Sequence, residues 1–527
     1  MTPHSSSAPP GAGAAQPDVV IIGAGPVGLA LACELRLAGI SVVVLERLLA
    51  IDPTIKAGSL GPLAGEALAR RGFEPAMAAV EAEAMQKMHA MMRSMGATPP
   101  SGPPRNAQGK VIGGHFSGLF LIDQEVQAEP WRRHRGVGQQ ALEDMLGRRA
   151  AELGASVQRG VTVTGFDDRG DSVAITAVGA EGEVRLTARY LVGCDGGRSF
   201  VRKHAGFAFP GTAPTITGYQ ALVELADPEK LLPLGWRRTP VGMLAFGPVP
   251  GRILTVEFDG PPGERDAPVT RDELQAALRR VSGSDVTITE VRSATRWTDN
   301  ARQVTAFRSG RVLVAGDAAH VHSPFGGQGL NLGICDAMNL GWKLAATIRG
   351  QAPGGLLDTY TTERHPVAAR VLANTRAQVA LMRPGPEVDA LRDLVADLLA
   401  IDDVNRYFGA MLGGLDVRYP IAGDHPMTGR PWPDLAITLA DGTPTGTAAV
   451  MHDGRALLLD LGAGDALTRR AAGLADRVQV IRARSARSDL AAVLVRPDGF
   501  VAWAAAPGTI DPTGLDLALA TWFVAAT

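Results

Sequence analysis

The sequence predicts an α/β protein of several domains, on three observations. A chain of 527 residues is too long for one ordinary core. Its start reads apolar strand, glycine-rich turn, Ala/Leu-rich helix and second apolar strand, from Val19 to Glu46. Beyond residue 205 this pattern yields to alternating stretches of antiparallel type, and beyond about Tyr419 to short strands mixed with helical pieces.

The elements follow in order. Residues 1–16 are Ser, Pro, Gly and Ala without a basic start and apolar run, so they read as a flexible leader and not a secretory signal. Residues 17–73 form the opening βαβ unit. Residues 74–130, rich in Met and Pro, read as irregular apart from a strand at 118–123. Leu142, Met145, Leu146 and Ala150 predict a helix over 139–153, with Gly154 as its C-cap. Stretches 157–165, 173–178 and 184–188 predict a short antiparallel meander leading into a buried strand at 190–194. Within 205–295, stretches 218–225, 243–246 and 253–258 predict an antiparallel sheet and 271–281 a helix. Helices are predicted over 329–348, 358–382 and 388–399, and tail strands over 456–460, 477–481 and 493–496.

Bulk properties exclude several classes. A net charge of -2 leaves no footprint for nucleic acid or an anionic membrane. No window of about 18 residues is both apolar and charge-free, so no membrane span is expected. Cys33, Cys194 and Cys335 make no disulfide framework; buried, inert thiols in a reducing cytoplasm are the expectation.

Three motifs carry chemistry. In the first, Gly23 permits a tight turn, Gly25 lets a pyrophosphate approach the backbone, and Gly28 lets the helix beginning at Pro26 and Val27 pack on the strand. The helix N-terminus then faces a diphosphate, and Glu46 is placed for a ribose. In the second, a buried strand ends in Asp195-Gly196, with Ser199 and Arg202 beyond it. Ligand contact and a structural Asp-Gly turn compete evenly there. In the third, an apolar strand delivers Gly316 and Asp317, and Pro324 to Gly329 form a tight loop opening a helix with Asn331 in its first turn. Asp317 suits a ribityl hydroxyl, and backbone N–H groups of the loop suit a reduced, anionic ring. His320 and His322 lack further ligands at metal-site spacing, so a structural role outranks a metal.

Taken together, Gly-x-Gly-x-x-Gly…Glu-Arg, Asp-Gly-x-x-Ser-x-Val-Arg and Gly-Asp-Ala-Ala-His…Pro-x-x-Gly-Gln-Gly-Leu-Asn resemble the class A, single-component FAD-dependent monooxygenases. Arg430-x-x-Pro433-Asp434 and Arg496-Pro497-Asp498-Gly499 resemble the tail of the phenol-hydroxylase and aromatic-polyketide-hydroxylase branch. The resemblance spans residues 17 to about 505. It implies a Rossmann-like FAD-binding domain of glutathione-reductase type (17–204 and 296–400), an inserted antiparallel substrate domain (205–295, with part of 74–130) and a thioredoxin-like C-terminal domain (415–527). It implies FAD, with NADPH or NADH as co-substrate. Gly23, Gly25 and Gly28 would hold the diphosphate, Glu46 the ribose, and Arg47 the adenine end. Gln139 would contact the cofactor, and Asp317 its ribityl-diphosphate region. Pro324, Gly327, Gly329, Leu330 and Asn331 would line the isoalloxazine. Pro324 and Gly327 are the best candidates beside the reacting ring, and no acid or base is singled out.

The chain departs from that family's pattern at two places where it ordinarily carries arginine. Lys56 keeps one charge without bidentate geometry, and Leu63 loses the other. Flavin movement and nicotinamide docking are in question there, and the departure is similar to the mithramycin-pathway Baeyer–Villiger oxygenase branch. The implied reaction is hydroxylation of an aromatic polyketide-type substrate by O2 in antibiotic or other secondary metabolism. Baeyer–Villiger oxygenation of a polycyclic ketone and a non-catalytic flavin sensor are the alternatives. A polar group of 205–300 could activate a phenol, with Arg296, Trp297 and Tyr219 as candidates, though ordinary core or surface roles weigh more for each. The expected partners are a polycyclic small molecule and O2, with a homodimer as a further possibility.

Overall fold

The computed structural model describes residues 16–54, 56–94, 102–247, 249–265, 267–509 and 512–525. The expected leader, save its last residue, lies outside the described residues. The fold is mixed α/β.

Its organising sheet has six strands in the order Arg308–Ser309, Val312–Val314, Tyr190–Gly193, Val19–Ile22, Val42–Glu46, Ser156–Arg159. All neighbours are parallel except the two-residue edge strand. Val19–Ile22 lies at its middle with every residue buried, which is why that strand is apolar throughout. The helix Pro26–Leu37 starts on a proline whose missing N–H costs nothing at that position. It crosses the long helix Gly329–Ile348 closely. A Cβ on Gly341 would stand 2.4 Å from the Glu34 Cβ.

The inserted sheet is antiparallel, in the order Gly235–Thr239, Gly242–Phe246, Arg252–Glu257, Thr217–Leu225, Ile288–Trp297. Alternation along each strand gives it two faces. Tyr219, Ala221, Val223 and Leu244 pack under the helix Arg271–Ser282. Met243, Ala245, Leu254 and Val256 pack on Phe325, Val379 and Met382, so this second face meets the Pro324–Gly329 loop. A third, mixed sheet of six strands lies at the C-terminal end, and Trp342 of the long helix sits in its core.

Several elements differ from the sequence reading. Residues Glu74–Ser94 form a helix of 21 residues where irregular chain was expected. Its Ala, Glu, Met and Lys are good helix formers, but it has no continuous apolar stripe for periodicity to find. The expected strand 157–165 is two strands. Ser156–Arg159 joins the parallel sheet, Gly160 turns at φ +74°, and Thr162–Asp168 starts the separate meander. The helix Asp402–Gly413 and the tail strands Ala436–Leu439, Pro444–Gly446 and Val501–Ala505 were not foreseen. Among the described residues no helix is long and apolar enough to cross a membrane.

Candidate active site

Glycine contacts bring the three motifs to one place. A Cβ on Gly28 would stand 2.0 Å from the Gly23 carbonyl oxygen. Gly23 turns at φ +105°, and a Cβ there would stand 2.5 Å from the Cys194 carbonyl oxygen and 3.2 Å from the Asp195 Cα. Gly316 turns at φ +61° against Val27, where a Cβ would meet Cγ2 at 2.9 Å. The first, second and third motifs therefore touch one another at the C-terminal ends of adjacent parallel strands, where open α/β sheets bind ligands.

Gly25 behaves differently. A Cβ added to it would meet nothing within 4 Å. It is the N-cap of the first helix and has no side chain to cap the free N–H groups. Those groups and the helix dipole suit a diphosphate. The Glu46 carboxylate accepts from the Ala24 N–H (2.8 Å) and the Leu48 N–H (2.8 Å). Each oxygen of a carboxylate keeps a further acceptor position for a hydroxyl. Arg47 beside it is exposed.

The Gln139 N–H donates to the Ala57 carbonyl (3.0 Å) and its side chain donates to Glu143 (2.8 Å). Burial pushes the Glu143 carboxyl up, against the pull of that hydrogen bond. Lys56, next to Ala57, is exposed and pairs with Asp52 at 2.9 Å. Leu63 is buried, packed under Gly414. The two departures from the family pattern are thus one solvent-facing cation and one core side chain.

One oxygen of Asp195 accepts from the N–H groups of Phe200 (2.6 Å) and Val201 (3.1 Å), opening the short helix Phe200–His204. Its Oδ1 is buried without a partner. Both readings weighed for this acid therefore have a physical basis: one oxygen builds the turn and the other remains to be satisfied. Asp317 is exposed on the one-turn helix Gly316–Ala318. In the following loop Pro324 and Gly327 are exposed, and the Gly327 N–H closes a turn on the Pro324 carbonyl (3.0 Å). Gly329 and Leu330 are half-buried. Asn331 ties two segments together, accepting from the Gly61 N–H (2.6 Å) and donating to the Gly327 carbonyl (2.8 Å). An open glycine cradle at a helix N-terminus, an unsatisfied buried carboxylate oxygen and an exposed acid on a glycine turn fit an extended dinucleotide such as FAD.

The loop's own Phe325 joins an aromatic cluster on the inserted sheet. The Phe325 ring lies 5.5 Å from Trp297 and 6.3 Å from Trp236, and the His115 ring lies tilted, 5.1 Å from Trp236. Burial pushes the His115 imidazole down to about 4, so it is neutral at ordinary pH. Of the three candidates for substrate activation, the structure brings Trp297 to this cluster. Arg296 and Tyr219 lie on the opposite face, where Arg296 clamps Glu273 and the Tyr219 hydroxyl donates to Glu273 at 2.6 Å. Burial and that hydrogen bond push the Tyr219 phenol up to about 12, which rules it out as a base near neutrality. His115, Trp236 and Phe325 were not found from sequence, because nothing local marks them. A cavity of about 420 Å³ beside Tyr219 and Arg296 belongs to that helix-covered side. A smaller one of about 190 Å³ is lined by Leu63, Asn331 and Arg364.

The two histidines of the third motif are committed to protein partners. His320 Nε2 meets Asp336 at 2.7 Å, and His322 Nδ1 meets the Ser323 carbonyl at 2.7 Å. Cys33 and Cys335 are buried free thiols, pushed up by burial to about 12 and about 11.

These features define a flavin-binding oxidoreductase, and comparison with known proteins agrees. Residues 16–375 match the FAD binding domain family, and residues 425–526 match the family described as aromatic-ring hydroxylase, C-terminal. The chain belongs to the class A flavin monooxygenases of polyketide-hydroxylase type. It is similar to the 12-dehydrotetracycline 5-monooxygenase/anhydrotetracycline 6-monooxygenase of Streptomyces rimosus, 42% identical over 96% of this chain and 98% of that protein. A rifampicin monooxygenase of Streptomyces venezuelae is 38% identical over 97% and 99%. An aromatic hydroxylase from angucycline biosynthesis, of known crystal structure, superposes with a TM-score of 0.84 at 37% identity, covering 97% of this chain and 100% of that one.

Proposed function

We propose that this chain uses NADPH or NADH and O2 to hydroxylate a multi-ring aromatic polyketide in the assembly of an antibiotic or related metabolite. The observation that carries the reading is the placement of the Pro324–Gly329 loop. It follows the Gly316 turn on one side, and its own Phe325 packs against Trp236 and Trp297 of the inserted sheet on the other. A ring held at that loop would lie near the half-buried Trp236 and Trp297, whose apolar rings suit a polycyclic substrate. The names of the tetracycline-directed and angucycline-pathway relatives support the same substrate class.

In this reading FAD supplies oxygen activation, and the chain supplies binding, orientation and exclusion of water. Gly23, Gly25, Pro26, Val27 and Gly28 take the diphosphate, Glu46 and Arg47 the adenosine end, and Asp195, Gly316 and Asp317 the middle. Pro324, Gly327, Gly329, Leu330 and Asn331 take the ring, with Gln139 and Lys56 flanking. The parallel sheet is then the Rossmann-like domain of glutathione-reductase type, the inserted sheet the substrate domain, and the C-terminal sheet a thioredoxin-like domain without a redox pair. A cytoplasmic enzyme completes the proposal.

The test is turnover of tetracyclic phenols and ketones under oxygen-18 gas, with the product read by mass and ring connectivity. One labelled hydroxyl is the expected result. A labelled ring-expanded lactone would assign Baeyer–Villiger oxygenation instead. Bound FAD that neither NADPH nor NADH reduces, with or without substrate, would assign a flavin sensor.

A further inference from the structure

We propose that Asp336 is a positioning residue for the cofactor: it fixes, from beneath, the Gly316–Asp317 turn that the flavin dinucleotide meets. The inference rests on the FAD-site reading above. Asp336 and His320 are wholly buried and Arg364 nearly so. The Asp336 Oδ2 accepts from the Gly316 N–H at 3.1 Å and from His320 Nε2 at 2.7 Å. Its Oδ1 accepts from Arg364 Nε at 2.7 Å. Burial opposes the charge, but the adjacent Arg364 and His320 hold the carboxyl below its usual range. The bonds from His320 and Arg364 have the length of charge-assisted hydrogen bonds and fix the carboxylate, and the longer bond from the Gly316 N–H is made to an acceptor already held in place.

The three donors come from two segments, the third motif and the helix Thr359–Met382, and the Gly316 N–H is the one that belongs to the candidate FAD site. Gly316 has little freedom elsewhere. Val27 closes one side, and a Cβ on Gly333 would stand 3.3 Å from the Gly316 Cα. Its φ of +61° is a conformation that glycine adopts readily and that the bond to Asp336 selects. Arg364 is itself held, donating to the Leu332 carbonyl and to the Tyr419 hydroxyl, each at 3.0 Å.

Asp336 also stands on the same helix as Asn331, which grips the Gly61 N–H and the Gly327 carbonyl. Five positions along the helix set the two about 7.5 Å apart on its axis. One rigid rod thus spaces two parts of the groove: the turn at Gly316 through Asp336, and the ring-side loop through Asn331.

The test is FAD titration of the apoprotein, followed by flavin fluorescence and the visible spectrum, with the apoprotein's Tm measured in parallel. Asp336→Asn keeps the shape but turns one acceptor into a donor. We expect its FAD Kd to rise by about tenfold or more, the scale of one charge-assisted hydrogen bond, with an altered flavin band. Tyr419→Phe loosens Arg364 without touching Gly316. It should lower Tm and leave the FAD Kd within about twofold. A Kd for Asp336→Asn within about twofold of wild type would overturn the inference, as would an equal loss of affinity in Tyr419→Phe. If Asp336→Asn does not fold, His320→Leu gives the same reading. It leaves the charge paired with Arg364 but frees the carboxylate to pivot, and an unchanged Kd overturns the inference. Wild-type apoprotein that takes up no FAD would sink the FAD-site reading itself, and this inference with it.

Discussion

Arg496 donates to both carboxylate oxygens of Glu363, at 2.6 and 2.8 Å, across 133 positions of sequence. Both side chains are buried, and so are the groups around them. Lys343 donates to Glu363 at 2.7 Å, and Asn339 bridges Glu363 (2.7 Å) and Asp498 (3.0 Å). The Arg496 guanidinium lies 4.5 Å from the Trp522 ring centroid and 5.4 Å from that of Trp342. The C-terminal sheet is therefore joined to the helix Thr359–Met382 by charge, and to the long helix by the Asn339 hydrogen bond and apolar contact.

Arg496→Met should cost about 3–5 kcal/mol, because it strands Glu363 and Asp498 with too little positive charge in a dry interior. Urea unfolding measures it. A loss under about 1 kcal/mol would mean that water reaches this junction.

Lys343 gives this junction a pH signature. Burial lowers its ammonium pKa to about 8, against the raising pull of Glu363. Between about pH 8 and the ordinary lysine value the unfolded chain holds the extra proton. The stability contributed by Lys343 therefore rises with pH across that window, and it is lost as pH falls through 8. Comparison with Lys343→Met removes other alkaline titrations. The difference, wild type minus variant, should grow from pH 8 to pH 10. A flat difference would contradict the burial of a charged amine.

Gly25 and Gly28 should fail differently. Gly28→Ala forces a Cβ against the Gly23 carbonyl oxygen, so the apoprotein itself should be destabilised by several kcal/mol. Gly25→Ala places its Cβ in open space at an ordinary φ of -74°. Its apoprotein should melt as wild type does, while FAD binds about tenfold or more weakly, because the methyl keeps the diphosphate off the backbone. Thermal melts with and without FAD separate the two. Equal FAD affinity in Gly25→Ala would remove the diphosphate from that turn.

The thiols offer a chemical check. Cys33 and Cys335 are pushed up by burial to about 12 and about 11, so at pH 8 they are thiols and not thiolates. A disulfide reagent should label neither in the native protein and both after unfolding. Rapid native labelling would show that these helices open.

What could be read from sequence was what short-range pattern encodes. Val19–Glu46 and Gly329–Ile348 were legible because glycine spacing and apolar runs act within one turn or strand. The Glu74–Ser94 helix was not, since good helix formers without an apolar stripe leave no periodic mark. The faces of the inserted sheet were hidden for another reason. Register pairs Tyr219 with Arg296 and Gly218 with Trp297, so one step along a strand separates a helix-side clamp from the aromatic cluster. Asp336 was passed over because its partners at 316, 320 and 364 meet only in the folded chain.

Titration of the purified apoprotein with FAD, read as stoichiometry by visible absorbance, puts the convergence of the three turns to its plainest trial. One FAD per chain is expected, with much weakened uptake in Gly25→Ala and in a variant of Asp317 that folds normally. A colourless protein that takes up no flavin, or one whose uptake ignores both substitutions, would contradict it.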